Sequence, residues 1–343
     1  MLKVLKHNDA GWDEIVRSFK DHDIYYLSGY VNSLYVNGDG MPLLFCYEKD
    51  GFRAMQVMLK RDIADDERFE GRIEKGTCFD LISPYGYGGW IFEGDADKKS
   101  LFEEYDSWCA EHHIISEFVR FHPLIDNYRY SQDHYEVIPL GRVIAMDCSD
   151  KDLIWSNMSS NNRNKIKRAK NLGIQIRHGG KEMLEDFISL YEMTMERNNA
   201  TDYYFFNRDY YDTLTDCKDN CLIFEARTAE GELISSAMVL SANDKASYHL
   251  SGSRRMPGNL CENNLLLYEA ALWANENGFR TFLLGGGLGS SEDNLYKFKL
   301  GFNKKESHQF YIGKKIHDRT IYDELVAMRE DIANHGFFPE YRG

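Results

Sequence analysis

The sequence lacks a surplus of basic charge: 41 Lys and Arg stand against 55 Asp and Glu, a net of −14. That excludes general nucleic-acid binding, which runs on neutralising phosphates, although one local basic strip can still serve a single anionic partner. CxxC pairs are missing too. The cysteines, Cys46, Cys78, Cys109, Cys148, Cys217, Cys221 and Cys261, are odd in number and scattered, and the one close pair, Cys217 and Cys221, has no histidine or second pair at zinc spacing. They are expected to be reduced core thiols of a cytoplasmic protein that binds no metal. No apolar run approaches the length that spans a bilayer. The N-terminal "MLKVLKHNDAGWDEIVRS" meets Asp and Glu before any apolar stretch develops, so neither a signal peptide nor a membrane anchor is expected. Pro-, Gly- or Ser-rich linkers and low-complexity runs are also absent. So are GxSxG and HExxH, and nothing pairs His112-His113 with a nucleophile, which leaves hydrolase triads and zinc proteases without support.

What is present is a 343-residue chain, 43% apolar, long enough for two domains with substantial cores. Its halves repeat a plan. "PLLFCYEKDGFRAMQVML" has two apolar runs joined at Lys49-Asp50-Gly51, a hairpin signal, and "CLIFEARTAEGELISSAMVL" repeats it with Glu230-Gly231, followed by a third strand in "KASYHLSG". Each hairpin leads to an amphipathic helix with a tryptophan, Trp108 or Trp273, and then to a strand around Phe118–Phe121 or Thr281–Leu284. This order predicts a mixed α/β (α+β) fold of sheets with helices packed on them. The first domain is expected over 1–147 and the second over 148–316, with a C-terminal helical segment at 317–343 able to pack back on the first.

Four stretches bear on chemistry. In "FLLGGGLGSSEDNLYKFKLGF", Phe282 to Phe302, a strand runs into a glycine loop and then a helix. No lysine follows at P-loop spacing, and the dinucleotide fingerprint fails at Ser290 from Gly285 and at Glu292 from Gly287. Ser290 or Ser291 is expected to cap the helix, and Glu292 and Asp293 would repel a phosphate there. The loop, Gly286 and Gly287 included, then serves as a wall that approaches something closely. In the helix, Leu295, Phe298 and Phe302 form an apolar stripe with Lys299 inside it, while Lys297 points to solvent. An ammonium so placed either snorkels out or faces developing negative charge.

"WSNMSSNNRNKIKRAKNLG", Trp155 to Gly173, carries Arg163, Lys165, Lys167, Arg168 and Lys170 on one helix that Ser159, Ser160 or Asn161 can cap. Arg163, Lys167 and Lys170 share a face, either a solvated one or one for an anionic ligand. "SPYGYGGW" places Tyr85 and Tyr87 among glycines, as a site lining or as a packed turn. "SYHLSGSRRMPGNLCENN" opens a strand into Arg254 and Arg255 and then a helix capped by Asn263 or Asn264, where arginines and helix N–H groups could hold a pyrophosphate or simply lie at a surface turn.

These residues resemble a family. "RNKIKRAKNLG" is similar to the R-x-x-I-x-x-A-x-x-x-G helix of Fem-type (FemABX-like) aminoacyltransferases and their acetyltransferase-like relatives in the GNAT superfamily. "NNLLLYEAALWANENGFRTFLLGGG" looks like their N-x-x-L-x-x-x-A-x-x-x-A-x-x-x-G helix and strand, "NLYKFKLGF" like their closing FK-x-GF, and "SPYGYGG" like their glycine-tyrosine loop. The resemblance implies two tandem GNAT-like (acyl-CoA N-acyltransferase-like) domains with a cleft between them, the second being catalytic. It implies transfer of an acyl or aminoacyl group from acyl-CoA or charged tRNA to an amine, with a cell-wall (peptidoglycan) precursor as one acceptor class and no tightly bound cofactor. Lys299 would sit near the reacting carbonyl, and Arg163 would face an anionic group of the precursor. Tyr296 and Glu262 are candidates for proton handling. Arg163, Lys167, Tyr85, Tyr87, Arg254, Arg255, Asn264, Gly286, Gly287 and Phe298 are candidates for substrate contact. The chain departs from the pattern in having no long helical-hairpin insertion and only one glycine in "RRMPGN", where the GNAT pyrophosphate motif has two small residues. A catalytically silent cleft protein that binds an anionic small molecule is the alternative.

Overall fold

The structure is a computed structural model that describes residues 1–94, 98–329, 332, 334 and 336–343. It divides into two units, Met1–Leu140 with Phe310–Gly343, and Gly141–Gln309.

In the first unit β1 (Leu2–Lys6), α1 (Trp12–Ser18) and α2 (Ser28–Asn37) precede the hairpin of β2 (Met41–Lys49) and β3 (Phe52–Asp62). Asp50 and Gly51 take φ of 51° and 82°, the left-handed pair that a tight two-residue turn requires. Then come β4 (Phe79–Ile82), the short β5 (Ile91–Glu93) beside β3, α3 (Lys99–Glu111) and β6 (Ile114–Arg120). The helix α3 buries Leu101, Tyr105 and Cys109, spaced four residues apart on one face, against Phe45 and Trp90 of the sheet side. Its role is that of a crossover, because β4 and β6 on either side of it pair in parallel.

β7 (Glu136–Asp147) carries the chain into the second unit, followed by α4 (Lys151–Asn157), α5 (Ser160–Asn171), β8 (Gln175–Gly179), α6 (Leu184–Arg197) and α7 (Arg208–Asp216). The second hairpin, β9 (Cys221–Arg227) and β10 (Leu233–Ala242), leads through β11 (Lys245–Ser253) and α8 (Glu262–Glu276) to β12 (Thr281–Gly285), and β11 and β12 again pair in parallel around a helix. After α9 (Asn294–Leu300), β13 (His308–Ile316) returns the chain to the first unit, where α10 (Arg319–Ala327) follows. β10 is buried along almost its whole length. A Cβ at Gly252 of β11 would lie 2.3 Å from the Leu190 carbonyl, so this glycine lets α6 approach the strand backbone.

The internal repeat read from the hairpins and tryptophan helices is present along the main order of each sheet, with β5 an addition of the first unit. The first unit orders its sheet β1-β2-β3-β4-β6-β13, and the second β8-β9-β10-β11-β12-β7. In each, the last position pairs antiparallel with the strand after the tryptophan helix, β13 on β6 and β7 on β12. In the second unit that strand, β7, opens the unit's own sequence, whereas in the first unit β13 arrives only after the whole second unit.

The C-terminal residues lie in the first unit: Tyr322, Leu325 and Tyr341 form a cluster with Ile63, Phe69 and Ile115. The helix expected to run through "DRTIYDELVAMREDIANHG" is observed as α10 alone; Glu330, Asp331, Ala333 and His335 of that stretch lie outside the described residues. Beneath it the buried Asp80 of β4 accepts from Arg61 at 2.7 Å, Arg342 at 2.5 Å and the Tyr341 hydroxyl at 3.1 Å.

Candidate functional site

The site is built from α9 and the loop before it. Asp293 caps α9: its carboxylate accepts the Tyr296 N–H at 2.9 Å and the Leu288 N–H at 3.2 Å, and the Tyr296 bond first of all holds it below the usual carboxylate range. The cap is thus Asp293 and not Ser290 or Ser291, since the loop between Gly287 and Asp293 makes an extra turn at Leu288–Ser290 before the helix starts. Gly287 fits against that turn, where a Cβ would stand 2.1 Å from the Ser291 carbonyl and 2.3 Å from Asp293 Oδ1. Gly287 thus serves close packing of the loop on its own helix, and Gly286, whose Cβ would stand 2.9 Å from the Arg142 carbonyl, close packing on β7.

That packing aims the Gly286 carbonyl at Lys299. Lys297 is exposed and Phe298 half-buried, edge-on to Phe302 at 5.4 Å between centroids, and Lys299 is only 8% exposed. Its Nζ donates to the Gly286 carbonyl at 2.7 Å and lies 5.8 Å from the ring centre of Tyr248 on β11. Burial pushes its pKa down to about 8, with the Asp293 carboxylate pulling the other way. Tyr296 is buried in the core of this unit.

Three motifs of the chain meet beside α9. Ser159 caps α5 by accepting the Asn162 N–H at 3.2 Å, and its own N–H donates to the Gly301 carbonyl at 2.9 Å. Asn264, buried in the first turn of α8, donates to Asn162 Oδ1 at 2.5 Å. α8 itself starts at Glu262 without a side-chain cap, so Asn264 does a different job from the one expected of it. Asn162 Nδ2 and Asn157 Oδ1 are buried and find no protein partner among the described residues. Asn162 and Tyr248 were not singled out from the sequence; a polar residue in line with Ile166 and Ala169 on the apolar face of α5 was the available signal for the first.

The basic helix α5 is largely engaged locally. Arg163 donates to the Met158 carbonyl at 2.6 Å and the Trp155 carbonyl at 3.4 Å, closing off the end of α4. Lys170 pairs with Glu269 at 2.8 Å, Arg168 donates to the Asn259 carbonyl at 3.0 Å, and the Lys167 ammonium lies 5.9 Å from the Trp155 ring centre. We expect Arg163→Met to lower stability in urea unfolding by about 1.5–3 kcal/mol, the range for hydrogen bonds to charged groups. Unchanged stability with weakened substrate binding would instead assign Arg163 to a ligand.

Arg254 pairs with Glu232 at 3.3 Å on the surface, and Arg255 is exposed. Glu262 accepts from Asn263 Nδ2 at 3.3 Å in the first turn of α8, where an acid suits the helix dipole. Tyr85 and Tyr87 belong to the first unit. The Tyr85 carbonyl accepts the Tyr30 hydroxyl, and the Tyr87 ring packs against Tyr25, His122 and Phe310 with its hydroxyl pKa raised by burial. Gly86, at φ 99°, has no room for a Cβ, which would fall 2.4 Å from the Tyr25 ring. Nearby His122 accepts the Leu124 N–H on Nδ1, so Nε2 carries the proton donated to Asp23 at 2.6 Å.

Residues 133–224, from just before β7 to the middle of β9, match the model of the FemAB family. The fold is that of "FemX", whose crystal structure aligns with a TM-score of 0.67 at 14% identity, over 94% of this chain and 99% of that one. L-PGS from Bacillus licheniformis aligns with a TM-score of 0.57 at 14% identity over 94% and 97%, and a conserved protein of unknown function from Bacteroides thetaiotaomicron with 0.58 at 11% over 92% and 99%. No curated protein sequence matches the chain. The resemblance to Fem-type proteins seen in the motifs is borne out, as is the mixed α/β fold. Among the described residues no helix is long and apolar enough to cross a membrane.

Proposed function

We propose that this Fem-like chain is a cytoplasmic N-acyltransferase that moves an acyl or aminoacyl group from an activated ester or thioester onto an amine. The match of residues 133–224 to the FemAB family and the FemX-like fold support the class. The observation that carries the reading is Lys299, an ammonium shielded from water and fixed by one carbonyl on the helix of the FK-x-GF motif.

Attack of an amine on an acyl carbonyl builds a tetrahedral oxyanion and then expels an alkoxide or thiolate, so the site must meet negative charge twice. A lysine with a pKa near 8 is suited to both steps, since it is still charged at neutral pH and gives up a proton more readily than an exposed lysine. One Nζ–H is held by Gly286, which leaves two for the reacting oxygen. Positioning of the amine against the carbonyl can supply much of the remaining rate without a dedicated base.

The donor is charged tRNA or acyl-CoA, and a peptidoglycan precursor is the acceptor class we favour, with Lys167 offered as a contact for its anionic groups. The test is to incubate the protein with a precursor bearing a free amine, adding a pool of charged tRNAs in one arm and acetyl-CoA in another. The expected result is one donor consumed and the acceptor's mass raised by the group transferred. Binding of the precursor with no consumption of either donor would favour the silent binding protein instead.

A further inference from the structure

In the first unit, Phe52, Ala54, Gln56 and Met58 of β3 point to one face of the sheet and are all buried beneath α3. Lys60 is the next residue in that row. An aliphatic side chain would simply extend the core, but a half-buried lysine stands there, at the wall of a cavity of about 760 Å³. Its lining includes an apolar and aromatic set, Val4, Leu43, Phe79 and Trp108. The volume is that of an ordinary small-molecule site.

The charges in and around this cavity are unequally occupied. Arg61 and Arg342 both donate to Asp80. Asp62 accepts the N–H groups of Ala64 at 3.0 Å and Gly76 at 2.7 Å, Asp65 pairs with Lys75 at 2.7 Å, and Asp66 accepts from Arg68 at 2.6 Å and Arg342 at 3.0 Å. The Lys60 ammonium, by contrast, lies 3.5 Å from the ring centre of Phe79 and has no hydrogen-bond or ion-pair acceptor among the described residues. Burial lowers its pKa, and the Asp62 carboxylate, pulling the other way, offsets this only in part. Lys6, exposed at the rim, adds a second positive charge on the same side.

We propose that this cavity is a binding site for a small amphipathic anion, with its carboxylate or phosphate on Lys60 and its apolar body against Leu43, Phe79 and Trp108. The site lies wholly in the first unit and does not depend on the acyl-transfer reading. A charge-assisted hydrogen bond in a shielded setting is strong enough to set the preference between an acid and its neutral counterpart.

The test is titration calorimetry on the full chain with three probes: 4-phenylbutyrate, the neutral 4-phenylbutyramide, and inorganic phosphate. Wild type is expected to bind the acid at least about tenfold more tightly than the amide, the size of one hydrogen bond to a charged group, and to bind phosphate more weakly than the acid. Lys60→Met is expected to erase the preference and Lys60→Arg to keep it, while Val4→Trp, which fills part of the apolar lining, weakens acid and amide alike. Equal affinity for acid and amide in wild type would overturn the proposal without any variant. So would a preference that survives in Lys60→Met, or no binding of either organic probe at millimolar concentration.

Discussion

Replacing Lys299 by methionine is expected to cut turnover at least tenfold, about 1.4 kcal/mol of lost transition-state stabilisation, while the folded protein becomes no less stable. The two halves of this result come from one fact. The ammonium is 8% exposed and its pKa is lowered by burial to about 8. The folded chain therefore binds a proton there less readily than the unfolded chain, whose lysine titrates near its ordinary value of about 10.4. The penalty is fully present below about pH 8 and is relieved as pH rises towards the unfolded value, so stability gains with pH across that window. Methionine keeps most of the side-chain volume and removes the penalty. Activity should run the other way in wild type: if the charged form is the working one, the rate falls as pH rises through about 8, and Lys299→Arg pushes that fall beyond the accessible range. Steady-state rates across pH together with thermal midpoints read both sides. Unchanged turnover in Lys299→Met would remove this residue from the chemistry.

The largest loss of stability is expected from Asp80→Ala, about 3–5 kcal/mol, as when one member of a buried ion pair is removed and its partners stay. Two guanidiniums, Arg61 and Arg342, and the Tyr341 hydroxyl would lose their shared acceptor at once. Burial alone would raise the Asp80 pKa, but the two arginines outweigh it and hold the carboxylate below its usual range. A carboxylate depressed in this way stabilises the fold above its unfolded pKa and loses that contribution as pH falls through the folded value. The wild type should accordingly weaken in strong acid, and a chain cut before Tyr341 should resemble Asp80→Ala. Urea unfolding at neutral pH measures the difference, and an Asp80→Ala midpoint equal to that of wild type would refute the role.

Much of this architecture was legible in local chemistry. Lys49-Asp50-Gly51 marked the first hairpin, and the two tryptophan helices marked the crossovers between β4 and β6 and between β11 and β12. Lys299 stood out because a helix period of 3.6 placed it among Leu295, Phe298 and Phe302. Other features were not readable because they depend on what lies across space. Ser290, Ser291 and Asp293 are all good caps by type, and only the extra turn at Leu288–Ser290 decides for Asp293. Arg163 looks free in sequence, and its contact with the carbonyls of Trp155 and Met158 requires the path between α4 and α5. Lys60 reads as the polar end of a strand, and only the cavity beside it shows a cation without an acceptor. The partners of β7 and β13 were equally hidden, since a strand's alternation records its faces and not its neighbours.

The placement of β13 beside β6 has a consequence for biosynthesis. Residues 312–316 complete the N-terminal sheet, and they leave the ribosome only after every residue of the second unit has emerged. The second unit can close as soon as it is made, because β7 precedes it. The nascent N-terminal unit must instead wait with the β6 edge uncovered, an arrangement prone to mispairing. The half of the molecule translated first is thus the half that matures last.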